Sequence, residues 1–128
     1  MIVLDTHAWI WWISAPRKLS VRARRVIDEA KELAVSAISL WEVAMLVAKS
    51  RLELDRDAGL WMRQALAAPR MRLAPLSAEI AVRSTTLGRE FHGDPADRLI
   101  VATALELNAV LVTKDDRLRS WEKIVTVW

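Results

Sequence analysis

The chain has 128 residues, 53% of them apolar, so it can bury a core and is too apolar to stay disordered. It has no cysteine, which excludes disulfides, zinc–thiolate sites and a cysteine nucleophile, and fits a reducing cytosol. A formal net charge of +3 and a pI of about 9.8, with arginine far in excess of lysine, suit a nucleic-acid substrate without demanding one.

Ile2-Val3-Leu4 is a short continuous apolar run, as expected of a strand covered on both faces. His7 to Ile13 reads as a helix. Leu19, Ala23, Val26, Ile27 and Ala30 recur at helical spacing behind Ser20, a good N-cap. Leu33 to Ala37 is a second strand, and Leu40 to Ser50 and Asp57 to Ala68 are helices. Met71 to Ala74 is a weaker strand ended by Pro75. Ser77 starts a helix toward Leu87, and Gly88 to Gly93 is a loop. Pro95 suits the first turn of a helix reaching about Leu107. Ala109 to Val112 is a fourth strand and Ile124 to Val127 a fifth, expected at an edge. No repeat or long linker interrupts the pattern, so one domain over residues 1–128 is expected. The start, Met1-Ile2-Val3-Leu4-Asp5, lacks a basic leader and a cleavage site, so no secretory signal is expected. The apolar stretch from Leu33 to Ala48 is broken by Glu42 and too short to span a bilayer, so a soluble, cytoplasmic protein is expected.

Strands separated by helices imply an α/β fold: a parallel sheet with helices on both faces. Ligands of such sheets bind beyond the carboxyl ends of the strands. Asp5 directly follows the first strand. Glu42 is expected in the first turn of the helix after the second strand. Asp94 and Asp97 flank the start of the helix feeding the fourth strand, and Asp115 and Asp116 follow Val112-Thr113. Four segments thus bring acid to one rim. Such a cluster repels itself unless a hard divalent cation neutralises it, and magnesium or manganese suits carboxylate ligands. One or two such ions can promote hydrolysis of a phosphodiester by water.

Each acid also has a plainer reading. Ser39-Leu40-Trp41-Glu42 has the capping-box pattern, and Asp94-Pro95-Ala96-Asp97 is a good N-cap, N1 and N3 arrangement. Asp115-Asp116 can start a turn or short helix. Asp5, set directly after an apolar strand, is harder to explain this way. His7, one turn into the first helix, and His92, before Asp94, have no partner at metal-ligand spacing and read as structural. With three glycines and no Gly-rich loop, nucleotide-binding P-loop and Rossmann readings fail. No serine nucleophile elbow is present either.

Arg17, Lys18, Arg22, Arg24 and Arg25 form the densest basic run, read first as a solvated helix face and second as a phosphate-binding patch. Seven tryptophans accompany one phenylalanine and no tyrosine. Trp9 and Trp12, one turn apart, read as core, with a tryptophan-bearing groove for a partner as the second reading.

Together, Asp5-Thr6-His7-Ala8 with Trp11-Trp12, Ser39-Leu40-Trp41-Glu42, His92-Gly93-Asp94-Pro95-Ala96-Asp97-Arg98 and Leu111-Val112-Thr113-Lys114-Asp115 resemble the PIN-domain family. The nearest branch is the VapC-type toxins of bacterial toxin–antitoxin pairs. The likeness runs from Met1 to the last strand. It implies a PIN-like three-layer α/β/α fold with a central parallel sheet of four to five strands. It implies a magnesium- or manganese-dependent endoribonuclease, with Asp5 and Asp97 as metal-binding acids. Glu42 and Asp115 would support them, Asp94 would be auxiliary, and Thr113 would orient the site through its hydroxyl. It further implies a homodimer and a cognate antitoxin whose tail crosses a hydrophobic groove, for which Trp12 and Trp41 are candidates. Basic side chains such as Arg98, or the run near Arg22, would hold the RNA backbone. Many relatives carry an aromatic where Ala96 stands, a change that leaves the acids intact. Two other readings fit parts of the pattern: a non-catalytic binding module of the same fold, and a receiver-like phosphoacceptor. The latter needs an acid after a central strand that the weak third strand does not offer.

Overall fold

The computed structural model describes residues 1–91 and 93–128; His92, assigned above to the loop before Asp94, lies outside the described residues. Five strands form one parallel sheet: β1 (Ile2–Leu4), β2 (Leu33–Ser36), β3 (Met71–Ala74), β4 (Val110–Val112) and β5 (Thr126–Val127). Their order is β3-β2-β1-β4-β5, so β5 lies at an edge as expected. The winding reverses between β1 and β4, and a crevice opens where such a reversal occurs. Leu4 pairs in register with both Val35 and Val112, which sets Asp5, Ser36 and Thr113 level at the carboxyl rim.

Alternation along these strands sends side chains to two cores. Ile2, Leu4, Leu33, Val35 and Val112 face one layer, with α1 (Thr6–Ser14), α2 (Val21–Glu29) and α4 (Ala58–Leu66). Val3, Ala34 and Leu111 face the other, with α6 (Pro95–Glu106) and α7 (Asp116–Arg119). The helix after β2, α3 (Ala37–Ala48), gives Val43 to the first core and rests Ile38 against the second. The remaining helix, α5 (Ala78–Ser84), packs on α6. Trp9 and Trp61 are buried in the first core and meet edge to face at 5.0 Å. Truncating a ring in such a place costs about 3–5 kcal/mol. The Trp61 indole N–H donates to Ser14 Oγ at 2.8 Å, so its burial leaves no orphaned donor.

Caps set the local boundaries. Ser20 and Ser77 accept from the third amide of their helices, as their positions suggest. Asn108, at φ 50°, takes the left-handed conformation that stops α6 and turns the chain into β4. Several expected bounds move. The third helix starts three residues early, because Ser36 caps it by accepting from the Ile38 amide at 3.3 Å. Ser39 and Glu42 therefore lie inside the helix, in its first and second turns, and the capping box expected there does not form. His7 is the second residue of α1, not a turn inside it. The helix after Ser77 ends at Ser84, short of Leu87, and the last strand shrinks to Thr126–Val127. A 3-10 turn over Pro16–Lys18 was not foreseen. The basic side chains of Arg17, Lys18, Arg22, Arg24 and Arg25 are exposed on this turn and α2, as a solvated face requires. Among the described residues, no helix is long and apolar enough to cross a membrane.

Candidate active site

Asp5 extends the sheet by one residue, its amide donating to the Val112 carbonyl at 2.9 Å, and then caps α1. Its Oδ1 accepts from the Thr6 amide at 2.7 Å, and its Oδ2 accepts from Thr113 Oγ1 at 2.6 Å. Thr113 is fully buried, so its hydroxyl is committed to this carboxylate and to the Asp115 amide at 3.1 Å. Thr6 Oγ1 donates to Glu42 Oε1 at 2.5 Å and shares a 2.8 Å hydrogen bond with Ser39 Oγ. Thr6 and Ser39 thus hold Glu42 against Asp5. The Ser39–Glu42 spacing read as a cap is instead one helix face turned to the rim.

The other side of the cleft is built on α6 and α7. The Asp94 side chain accepts from the Asp97 amide at 2.8 Å, and the Asp97 side chain accepts from the Asp94 amide at 3.2 Å. This capping box is the one expected from the sequence, and it aims Asp97 into the cleft. Gly93 permits the approach, since a Cβ there would lie 2.7 Å from Asp97 Cβ. Asp115 caps α7 by accepting from the Arg117 amide at 2.9 Å, so Asp115-Asp116 does begin a short helix. The Arg117 guanidinium then grips both Asp115 oxygens and reaches Asp97 Oδ2 at 3.3 Å.

Burial pushes the Asp5 carboxyl up, against the pull of the Thr113 and Thr6 hydrogen bonds. Burial also raises Glu42, with Asp5 and Asp94 adding repulsion and the Thr6 bond opposing. Asp97 is pushed up to about 7, by burial first and then by the charges of Asp94, Asp5 and Asp115. Asp115 alone of the four is lowered, by the Arg117 hydrogen bonds and charge. Burial, more than mutual repulsion, is what raises these three carboxyls, and a bound cation would offset both.

These acids line one cleft of about 520 Å³, together with Thr6, His7, Trp11, Lys114 and Arg117. A roomier cavity of about 770 Å³ beside α5 and Trp121 has Glu79 as its single acid. Asp116 faces Arg119 and stays outside the cleft. Arg98 is turned to the Phe91 carbonyl at 3.3 Å and stacks over that ring, so it is not among the cleft's cations. Among the described residues, no three acids or imidazoles yet close around a single point. The donor set nevertheless fits a hard divalent cation: all oxygen, mostly desolvated, and repelling itself. Arg117 stands in the gap between Asp97 and Asp115, where positive charge is wanted. The sequence reading missed Arg117, Thr6 and Ser39; only the Thr6 and Ser39 hydroxyls, each beside an acid in sequence or on a helix face, left any signal.

The model of the PIN domain family matches residues 2–124, nearly the whole chain; the chain belongs to that family. Ribonuclease VapC22 of Mycobacterium tuberculosis (strain ATCC 25618 / H37Rv) is a relative 43% identical over 129 residues, covering 99% of this chain and 98% of its own. Among solved structures, a toxin–antitoxin complex from Klebsiella pneumoniae contains a chain that superposes with TM-score 0.70 at 22% identity, covering 98% of this chain and 97% of the other. VapBC2 from Rickettsia felis, bound to a DNA fragment from their promoter, matches with TM-score 0.70 at 20% identity over 99% and 98%. At these identities the two structures speak for the fold.

Proposed function

We propose that this chain is a metal-dependent endoribonuclease and the toxin of a cytoplasmic toxin–antitoxin pair, cutting RNA phosphodiesters in the acidic cleft. The observation that carries this reading is the convergence of Asp5, Glu42, Asp97 and Asp115, from four separate segments, on the switch point of the sheet. The near-full-length relative named a ribonuclease supports it. Asp5 and Asp97 are the principal metal ligands; Glu42 and Asp115 support them, and Asp94 is auxiliary. Magnesium or manganese, when bound, supplies neutralisation of the carboxylates and Lewis-acid activation of water and phosphate. Thr113 fixes the direction of the Asp5 carboxylate through its hydroxyl. Thr6 does the same for Glu42, and the Asp94–Asp97 box holds Asp97. No side chain is required as a covalent nucleophile.

A homodimer and an antitoxin complete the reading, and the toxin–antitoxin complex among the structural neighbours supports the antitoxin. Trp41, 57% exposed on α3, and the half-buried Trp12 on α1 are candidate antitoxin contacts. The test is cleavage of a panel of structured RNAs with manganese, magnesium or chelator, for wild type and Asp97→Asn. Cleavage by wild type that needs metal and vanishes in the variant is expected. Equal cutting with chelator, or none in either metal, overturns the reading.

A further inference from the structure

Trp11 stands apart from the other tryptophans of the first core. Trp9 and Trp61 are buried, whereas Trp11 is half-buried and opens on the acidic cleft. His7, one turn before it, and Trp128 from the far end of the chain meet its ring at 5.6 and 5.8 Å between centroids. The ammonium groups of Lys18 and Lys114 approach the same ring to 5.9 and 5.7 Å. Among the described residues, neither lysine forms an ion pair with a carboxylate. Lys114 is next to Asp115 and Asp116, yet Arg117 and Arg119 take those two acids. The indole and Lys114 therefore line a cleft whose other groups are mostly anionic, and Lys18, outside that lining, stands over the same ring.

A phosphodiester entering that cleft is repelled by its carboxylates, so cations on its wall must offset the repulsion. An aromatic face flanked by cations is the usual platform for an unstacked base and its phosphates. We propose that the Trp11 corner is a nucleotide subsite for single-stranded RNA. One base stacks on the indole, while Lys18 and Lys114 take the neighbouring phosphates. Both lysine stems are flexible, so the ammonium groups turn from the ring to the phosphates as the base arrives. Stacking of this kind requires a base free of its helix, which selects loops and single strands over duplex. The subsite rests on the ribonuclease reading and adds to it where the substrate is gripped.

The test measures binding of a fluorescein-labelled, eight-nucleotide single-stranded RNA of mixed sequence in chelator, where cleavage is silent. Trp11→Leu should weaken binding by about tenfold or more, and Trp11→Phe should restore much of it. Lys18→Gln with Lys114→Gln should lower the slope of log affinity against log salt by about 1.4, at about 0.7 per single-strand phosphate contact. Val82→Ala, at an exposed position on α5 away from the cleft, should bind as wild type does. If Trp11→Leu does not fold, Trp11→Phe and the lysine pair carry the test through the loss on an abasic oligonucleotide and the salt slope. Wild-type affinity in Trp11→Leu, equal wild-type binding of the abasic oligonucleotide, or an unchanged slope in the lysine variant overturns the subsite. Wild-type RNA cleavage alongside such a result leaves the ribonuclease reading standing. RNA binding lost in Trp11→Leu, with no cleavage by wild type in either metal, overturns that reading instead and keeps the subsite. Wild type that neither binds nor cuts RNA overturns both.

Discussion

The two walls of the acidic cleft hold their carboxylates by different means. On the β1 and α3 side, Asp5 and Glu42 are fixed by the hydroxyls of Thr113 and Thr6, with Ser39 behind. On the α6 and α7 side, Asp115 and Asp97 share the guanidinium of Arg117. Hydroxyls fix direction and pull the proton affinity down, but burial outweighs them and both acids they hold are raised. A guanidinium neutralises, and the acid it grips on both oxygens is lowered. Asp97, touched at 3.3 Å by one nitrogen, remains near 7. One wall thus holds its acids with neutral donors, and the other holds them with a cation.

Breaking the hydroxyl wall at its carboxylate should have the largest effect. Asp5→Asn should lower the metal-dependent cleavage rate by at least about 100-fold, since several kcal/mol of charge stabilisation act through such ligands. Single-turnover assays on a cleaved RNA will show it, and activity within a few-fold of wild type would remove Asp5 from the ligand set. Next is Thr113→Val, which keeps shape and deletes the hydroxyl. Losing an orienting partner of a ligand typically costs about 10–100-fold in metal affinity or activity. Manganese titration followed by calorimetry is the check.

The third prediction concerns pH. Asp97, Asp5 and Glu42 bind protons more tightly in the folded chain than in the unfolded one. Folding therefore takes up protons between the ordinary Asp value of 3.8 and about 7, and metal-free stability falls as pH rises through that window. Asp115 has the opposite sign: its contribution is present above its ordinary value and is lost as acid protonates it. Thermal melting in chelator should thus decline from pH 4 toward 7 and then level off. Asp97→Asn should flatten the decline, melt at least as high as wild type at pH 8, and lose most of the gain from manganese. A melting temperature that climbs steadily from pH 4 to 8 would contradict the raised acids.

Smaller effects separate the walls further. Arg117→Gln should bind manganese a few-fold more tightly, because the ion no longer displaces a guanidinium. The same change should return Asp115 toward its ordinary proton affinity, readable by NMR of its carboxyl carbon. Weaker metal binding in this variant would make Arg117 a support of the site instead of a rival. Ser39→Ala should be the mildest, removing one hydrogen bond worth about 1 kcal/mol and shifting the melt by a few degrees.

Much of this was legible in the sequence because burial leaves simple marks. Three short apolar runs, each ending in a polar residue, gave β1, β2 and β4 and with them the rim. Asp5 stood out because it directly follows an apolar strand, and in the structure it also caps α1, which the sequence reading did not assign to it. The Asp94–Asp97 box was readable as a cap, and in the structure it also aims an acid into the cleft. Ser39–Glu42 misled, since the same spacing serves a cap at a helix start and a shared face one turn later; Ser36 started the helix early and decided between them. Arg117 left no signal, because its contact to Asp97 depends on where α7 lies against α6. Trp11 was overshadowed by the pair Trp9 and Trp12, and its lysines come from two distant segments.

The outer strands carry a consequence for assembly. Arg72 lies within β3, Pro75 follows it directly, and β5 is two residues long. Short, charged or proline-bounded margins give an incoming chain few amides to pair with. β-Augmentation is therefore a poor route onto this molecule. A protein partner must read its helix faces and side chains, so recognition rests on shape and residue identity more than on a generic backbone ladder.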